Sequence, residues 1–217
     1  MSARYPIHAG LQDGLILTRG RRQALPINFT TMADVLKSAN YSTHMVGKWH
    51  LGYHQPRYTP QARGFDTFMG YYTGNEEYWN HTSPCWHCGE NFTALDLHRA
   101  ANGEVNPIRN ASGVYSTELF ASETLDIIDN YQPSEESPLF LYLPYEAVHG
   151  AASCIPDCNA PTGDLLQAPQ SYIDEQSQIN NTDRRTYGGM VGAMDSAIAN
   201  VTAALKKKGI WCVCVLV

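Results

Sequence analysis

The sequence predicts an α/β fold, a central sheet with helices on its faces, and three observations predict it. Helix-like and strand-like stretches alternate along the chain. Arg184 to Lys208 carries a long helical periodicity, and Pro138 to Leu143 is a short unbroken apolar run, the pattern of a strand covered on both faces. A chain of 217 residues with 43% hydrophobic and 17% charged content suits one packed domain, residues 1–217, with no second domain.

Taken in order, Thr31 to Ala39 reads as a short helix. Thr31 and Asp34 have capping-box spacing, with Asp in place of the usual Glu, and Met32, Val35, Leu36 and Ala39 make one apolar face. Asn40 ends it, because asparagine tolerates the left-handed conformation that follows a helix. Thr43 to Val46 alternates and runs into Gly47, a strand pattern that leaves Lys48 and His50 at its carboxyl end. From Tyr53 to Val114, Gly, Pro, Asn and aromatic residues dominate, which predicts long loops with short strands. Phe65, Phe68, Tyr71, Tyr72, Tyr78 and Trp79 read there as core rather than as a ligand box. Ser116 to Tyr131 predicts an amphipathic helix that buries Leu119, Phe120, Ile127, Ile128 and Tyr131. A turn at Pro133 leads into the apolar run. In the long helix Tyr187, Met190, Val191, Met194, Ile198, Val201 and Leu205 recur at intervals of three and four, and the last-turn lysines and Gly209 close it. Ile210 to Val217 reads as the start of a buried strand.

The balance of 15 Lys+Arg against 21 Asp+Glu, net −6, argues against a general nucleic-acid surface but not against one local cationic site. The dense basic stretches are Arg19, Arg21, Arg22 and Lys206 to Lys208. No run of about eighteen apolar residues exists to span a bilayer, and the amino terminus lacks the apolar centre of a signal peptide. Yet Asn-x-Ser/Thr begins at Asn28, Asn40, Asn80, Asn91, Asn110, Asn180 and Asn200. Chance predicts roughly two such sequons, so the excess points to glycosylation and a secretory history. The six cysteines agree: Cys85/Cys88 and Cys154/Cys158 are close pairs in loop-like surroundings, and Cys212 and Cys214 sit on the apolar tail. Disulfides of open connectivity are expected ahead of a zinc site in such a compartment. A secretory chain without an export signal is reconciled most simply if Met1 is an internal position of a longer protein.

Open α/β sheets bind ligands at the carboxyl ends of their strands. Two such ends carry suitable groups, Lys48 with His50 after the first strand and His149 in PYEAVHG after the second. A fixed ammonium beside imidazoles that donate hydrogen bonds or protons near neutral pH suits a tetrahedral oxyanion. The bland alternative is that these histidines are structural partners of backbone groups.

Tyr41-Ser-Thr-His-Met-Val-Gly-Lys-Trp-His-Leu-Gly52 closely resembles the second signature of the sulfatase family, with Asn40 where a glycine is usual. The similarity continues through Arg63-Gly-Phe-Asp-Thr-Phe-Met-Gly70, the Tyr115-Ser-Thr helix start, the Pro138 to Leu143 strand with Val148-His149, Tyr187-Gly-Gly-Met-Val-Gly-Ala-Met-Asp195 and Asn200-Val-Thr-Ala-Ala-Leu205. In that combination the chain looks most like the arylsulfatase B type, the N-acetylgalactosamine-4-sulfatases and their relatives. The resemblance implies a partial alkaline-phosphatase-like sulfatase N-terminal domain, hydrolysis of sulfate esters of glycans or aryl alcohols, a calcium ion in the full-length enzyme, and a lysosomal or secretory location. It implies that a formylglycine, made from the cysteine of Cys-x-Pro-Ser-Arg, attacks sulfur. Lys48 would then bind the sulfate, His50 would hold the formylglycine hydroxyl, and His149 would contact the sulfate and assist the leaving alcohol as acid.

Cys-x-Pro-Ser-Arg does not occur in the 217 residues, nor do the family's Asp-Asp and Asp-Asn calcium motifs. Asp66, Asp96 and Asp195 are available carboxylates, but no motif assigns them to a metal. The expectation is therefore a chain that binds no calcium and turns over no substrate by itself. A non-catalytic secreted glycoprotein that binds sulfated glycans through the retained pocket is the alternative from a different class.

Overall fold

The computed structural model describes residues 1–12, 20–85, 92–151 and 165–211. Among them a five-stranded mixed sheet carries helices on its faces, as the alternation of patterns predicts. Its elements are α1 (Met32–Ser38), β1 (Ser42–Lys48), β2 (Thr67–Tyr71), β3 (Thr82–Cys85), β4 (Phe92–Leu95), β5 (His98–Ala101), β6 (Glu104–Pro107), α2 (Ser116–Asn130), β7 (Leu139–Tyr142), α3 (Gln170–Asp174) and α4 (Thr182–Lys207). The strand order is β6-β5-β2-β1-β7, with β3 and β4 forming a separate ribbon. β1 runs parallel to both neighbours, pairing Lys48 with Tyr71 of β2 and Met45 with Tyr142 of β7. β5 is antiparallel to β2, and β5 and β6 are joined by Asn102-Gly103, both at positive φ, the two-residue turn that matches strand twist.

α1 starts where its box places it. Thr31 Oγ1 accepts the Asp34 N–H at 3.0 Å and Asp34 Oδ2 accepts the Thr31 N–H at 2.8 Å, so Asp serves in the role of Glu. Asn40 follows at φ 65°, left-handed as expected. The buried face of α1 differs from the one the apolar spacing suggests: Met32 and Val35 are exposed and Ala33 is buried. The reason is close approach. A Cβ on Gly64 would lie 2.3 Å from Asp34 N and 2.4 Å from Ala33 C, and only a small side chain fits such a contact.

The same logic corrects α4. It buries Gly189, Met190, Ala193, Ala197, Val201 and Leu205, while Tyr187 and Ile198 are exposed. Small residues face inward because the short α3 crosses closely, with Ile173 3.1 Å from where a Gly189 Cβ would stand. β7 is apolar on both faces, as its unbroken run requires. Phe140 and Tyr142 pack against the cluster of Met45, Trp49, Phe65 and Phe68, and Leu139 and Leu141 against that of Ile128, Val201 and Leu205. All four β7 residues are nevertheless only half-buried, because β7 pairs with β1 alone among the described residues. Phe65, Phe68, Tyr71, Tyr72 and Tyr78 are buried core, as expected, and Trp79 is half-buried against Tyr115. The expected strand from Ile210 lies, from residue 212 on, outside the described residues, as do Cys88, Cys154, Cys158, Cys212, Cys214, Asn91 and Arg19.

Candidate anion site at the carboxyl edge of the sheet

Two glycines in register build the floor of the site. Gly47 has φ 124° and a Cβ there would meet Pro144 O at 2.3 Å; Gly70 has φ 153° and its Cβ would meet Gly47 O at 2.0 Å. Backbone therefore packs on backbone between β2, β1 and the segment after β7, a spacing that only glycine permits. Lys48 follows directly, its N–H donating to Pro144 O at 2.8 Å. Its ammonium is half-buried, and burial lowers its pKa while the carboxylate of Glu146 opposes that shift.

The next two residues fix the direction of the chain. Trp49 is buried, with its indole N–H shared between Gly52 O at 2.9 Å and Tyr58 O at 3.0 Å and its ring edge-on to Phe65. His50 takes φ 49°, donates its N–H to Tyr72 O and lays its ring over Gly74. A Cβ on Gly74 would lie 2.8 Å from His50 Cε1, so Gly74 makes room for this imidazole.

His149 arrives on the loop after β7, the neighbouring parallel strand. Its N–H donates to Glu146 O at 2.8 Å and its carbonyl accepts the Tyr78 hydroxyl at 2.9 Å. The ring is exposed and its Nδ1 lies 2.8 Å from Gly150 O. A carbonyl only accepts, so Nδ1 carries the proton and Nε2 is the basic nitrogen. The three predicted site residues thus lie at one end of the sheet. Lys48 and His149 are both tied to the segment after β7, Lys48 through its N–H to Pro144 O and His149 through its N–H to Glu146 O.

Sequence reasoning missed two of the acidic groups near them, Glu76 and Glu146, and gave the third, Asp96, no role. Glu76, Glu146 and Asp96 are all buried. Asp96 accepts the N–H groups of Tyr72 and Thr73 at 3.1 and 3.0 Å, and Glu146 Oε1 accepts that of Glu76 at 2.8 Å. Burial pushes all three carboxyls above the ordinary range, with their mutual repulsion adding for Glu76 and Glu146. Glu146 lies inside the same PYEAVHG stretch as His149, and a glutamate set among apolar residues at a strand end was the available signal. Asp66 and Asp195 are elsewhere: Asp66 serves the amino edge of β1 and Asp195 is exposed on α4.

At the opposite end of the sheet a cleft of about 800 Å³ opens between α2 and the strands, lined by residues that include Ser42, His44, Thr67, Arg99, Glu123 and Asp126. Arg99 pairs with Glu123 there, and His44 is bracketed by Ser42 and Thr67, so its polar groups are largely matched to one another. It shares no residue with the Lys48 site.

Among the described residues no three His, Cys, Asp or Glu side chains are grouped so as to hold a metal ion. Glu76, Asp96 and Glu146 do not form such a group; both oxygens of Asp96 and Oε1 of Glu146 already accept backbone N–H groups. No grouping among the described residues fits the calcium of the family, and no chemical step is derived through one.

The mixed sheet places a half-buried lysine and two histidines at the carboxyl ends of parallel strands, the edge at which open α/β sheets bind ligands. The sulfatase family profile matches residues 1–217, and the chain belongs to that family. It is 35% identical over 212 residues to arylsulfatase J of Mus musculus, covering 97% of this chain and 31% of that protein. It is 28% identical over 196 residues to the N-acetylgalactosamine-6-sulfatase of the same species, covering 86% of this chain and 31% of that one. A solved structure of Ps i-CgsB in complex with k-i-k-neocarrahexaose superposes with a TM-score of 0.74 at 28% identity, over 97% of this chain and 43% of the other. The chain thus spans about a third of the length of these curated relatives, and the fold corresponds to part of the solved chain.

Proposed function

We propose that residues 1–217 are part of the catalytic domain of a sulfuric ester hydrolase of the arylsulfatase B type, acting on sulfated glycans or aryl sulfates, and that they form its sulfate-binding wall. The observation that carries this reading is Lys48: a half-buried ammonium at the carboxyl end of β1, beside the loop of His149, in a chain that matches the sulfatase family throughout. In a site shielded from water such a cation binds a sulfate oxygen and stabilises charge that develops on it. His149 presents Nε2 from an exposed ring, and once protonated it delivers a proton to the departing alcohol. His50, held over Gly74, orients the nucleophile's hydroxyl. Formylglycine supplies that nucleophile in the family; these 217 residues contain no Cys-x-Pro-Ser-Arg, so the expected behaviour of this polypeptide is binding without turnover.

The absent motif is also the observation that favours the second reading, a non-catalytic glycoprotein that retains sulfated glycans. For either reading the route is lysosomal or secretory, and Asn28, Asn80, Asn110, Asn180 and Asn200 are all exposed for glycosylation, as is Asn40. Calorimetry with inorganic sulfate and a sulfated disaccharide tests the site. Lys48→Ala should weaken binding about ten- to a hundredfold, the worth of one charge-assisted contact. Binding that is indifferent to Lys48 and His149 sinks both readings. Robust aryl sulfate hydrolysis in the presence of calcium, abolished in Lys48→Ala, would sink the expectation of an inactive chain.

A further inference from the structure

The loops after β2 and β7 bring two buried glutamates together, and neither has the partners that a full negative charge requires. Glu146 Oε1 accepts the Glu76 N–H at 2.8 Å, and Glu76 Oε1 accepts the Ser116 hydroxyl at 2.9 Å. Both Oε2 atoms are buried without a hydrogen-bond partner among the described residues, in residues that are 0% and 2% exposed. The hydroxyl of Tyr71, which lies opposite Lys48 in the β1–β2 register, is orphaned too and senses both carboxyls.

The charged and titratable groups that surround the pair are few. β1 contributes Lys48, β2 contributes Tyr71, the loop after β2 adds Glu77, Tyr78 and His81, the turn before β5 adds Asp96, and Tyr115 precedes α2. His81 is buried and its Nε2 points at Ala111 O, 3.1 Å away; burial lowers its pKa and keeps it neutral. Lys48 is then the one fixed cation in the set. Two carboxylates in a dry site cannot both ionise against a single ammonium.

We infer that Glu76 and Glu146 hold one proton between them, carried by Glu76, and that ionised Glu146 is the counter-charge that keeps the Lys48 ammonium protonated in the anion site. Glu146 takes the charge because it has a backbone N–H donor and stands two residues after Pro144, whose carbonyl holds the Lys48 backbone, whereas Glu76 has only a hydroxyl. A proton on Glu76 Oε2 turns an orphaned acceptor into a donor, and Glu146 Oε2 is the matching orphaned acceptor on the next carboxyl. The inference rests on the reading of Lys48 as the sulfate-binding cation, and it adds what sets that cation's charge.

Two measurements on the full 217-residue chain decide it, and neither needs substrate. Infrared spectroscopy at neutral pH should show the carbonyl stretch of one protonated carboxyl, lost in Glu76→Gln. Lysine 13Cε NMR, with the Lys48 signal assigned through Lys48→Arg, should show its titration moved to lower pH in Glu146→Gln, where the counter-charge is gone. Glu146→Asp should restore part of that shift, and Glu76→Gln should leave Lys48 where it was. The idea is overturned by a wild-type spectrum without the acid band, or by a Lys48 titration unmoved in Glu146→Gln. Should Glu146→Gln lack a cooperative melt, the wild-type spectrum and Glu76→Gln still decide. Inorganic sulfate that binds wild type and Lys48→Ala equally ends the pocket reading while the Lys48 titration stands on its own.

Discussion

The two ends of the parallel strands treat charge in opposite ways. At the amino edge Asp66 accepts the Thr43 N–H at 2.9 Å and its hydroxyl at 3.1 Å and pairs with Lys37, and Arg99 pairs with Glu123. At the carboxyl edge Glu76 and Glu146 keep orphaned oxygens beneath one lysine, and two glycines force backbone onto backbone. The amino edge is where the fold satisfies itself. The carboxyl edge carries unpartnered buried polar atoms and crowding, features that folding alone does not require. Three experiments would break or sharpen this contrast.

The largest effect is expected from Gly70→Ala. A methyl there would stand 2.0 Å from Gly47 O at φ 153°, so either β1 and β2 part or the turn into Lys48 is lost. A cost of about 3 kcal/mol or more follows from the strain and the broken register together. Gly103→Ala is the control. Gly103 also has positive φ, 82°, but nothing lies within 4 Å of its Cβ position, so only the backbone strain of about 1 kcal/mol applies. Equal denaturation midpoints for the two variants would show that the carboxyl edge is not crowded.

The second experiment uses pH, where the two edges have opposite signs. Glu76 keeps its proton in the fold above the ordinary glutamate value of 4.5, so its contribution is complete below that pH and is lost as pH rises through the folded value. Burial pushes the Asp66 carboxyl up, but its bonds to Lys37 and Thr43 outweigh that and hold it below its ordinary 3.8, so its contribution is present above 3.8 and is lost as pH falls through the folded value. Glu76→Gln should therefore gain stability relative to wild type as pH rises from 4.5, at a slope of up to about 1.4 kcal/mol per pH unit. Asp66→Asn should show its deficit above pH 3.8 and recover below it. Urea titrations across the pH range read both slopes, and parallel curves would erase the distinction between the edges.

What the sequence made legible follows the same division. α1, α2, α4 and β1 were readable because caps, periodicity and the turn into Gly47 act over a few residues. The positions of Lys48, His50 and His149 at strand ends were readable for that reason too. The carboxyl pair was not, because Glu76 and Glu146 are 70 positions apart and Ser116 is 40 from Glu76, and the burial of a carboxyl is decided by segments that distant. The buried faces of α1 and α4 were misread because apolar spacing cannot foresee where Gly64 and Gly189 let backbones approach.

The smallest effect, and the finest test of the contrast, belongs to Lys37. Its ammonium is 51% exposed and the Asp66 carboxylate is 34% exposed, so water and salt screen the pair, and the ion pair alone stabilises by less than about 1 kcal/mol. The two bonds from Asp66 to Thr43 are different, since they fix the start of β1 against the turn into β2 and Thr43 is buried. Lys37→Ala should thus change stability by no more than about 0.5 kcal/mol and lose even that in molar salt, whereas Asp66→Asn should cost more and keep most of that cost in molar salt. A salt-sensitive loss in Lys37→Ala as large as that in Asp66→Asn would mean that the amino edge, like the carboxyl edge, stores its energy in charge rather than in satisfied backbone.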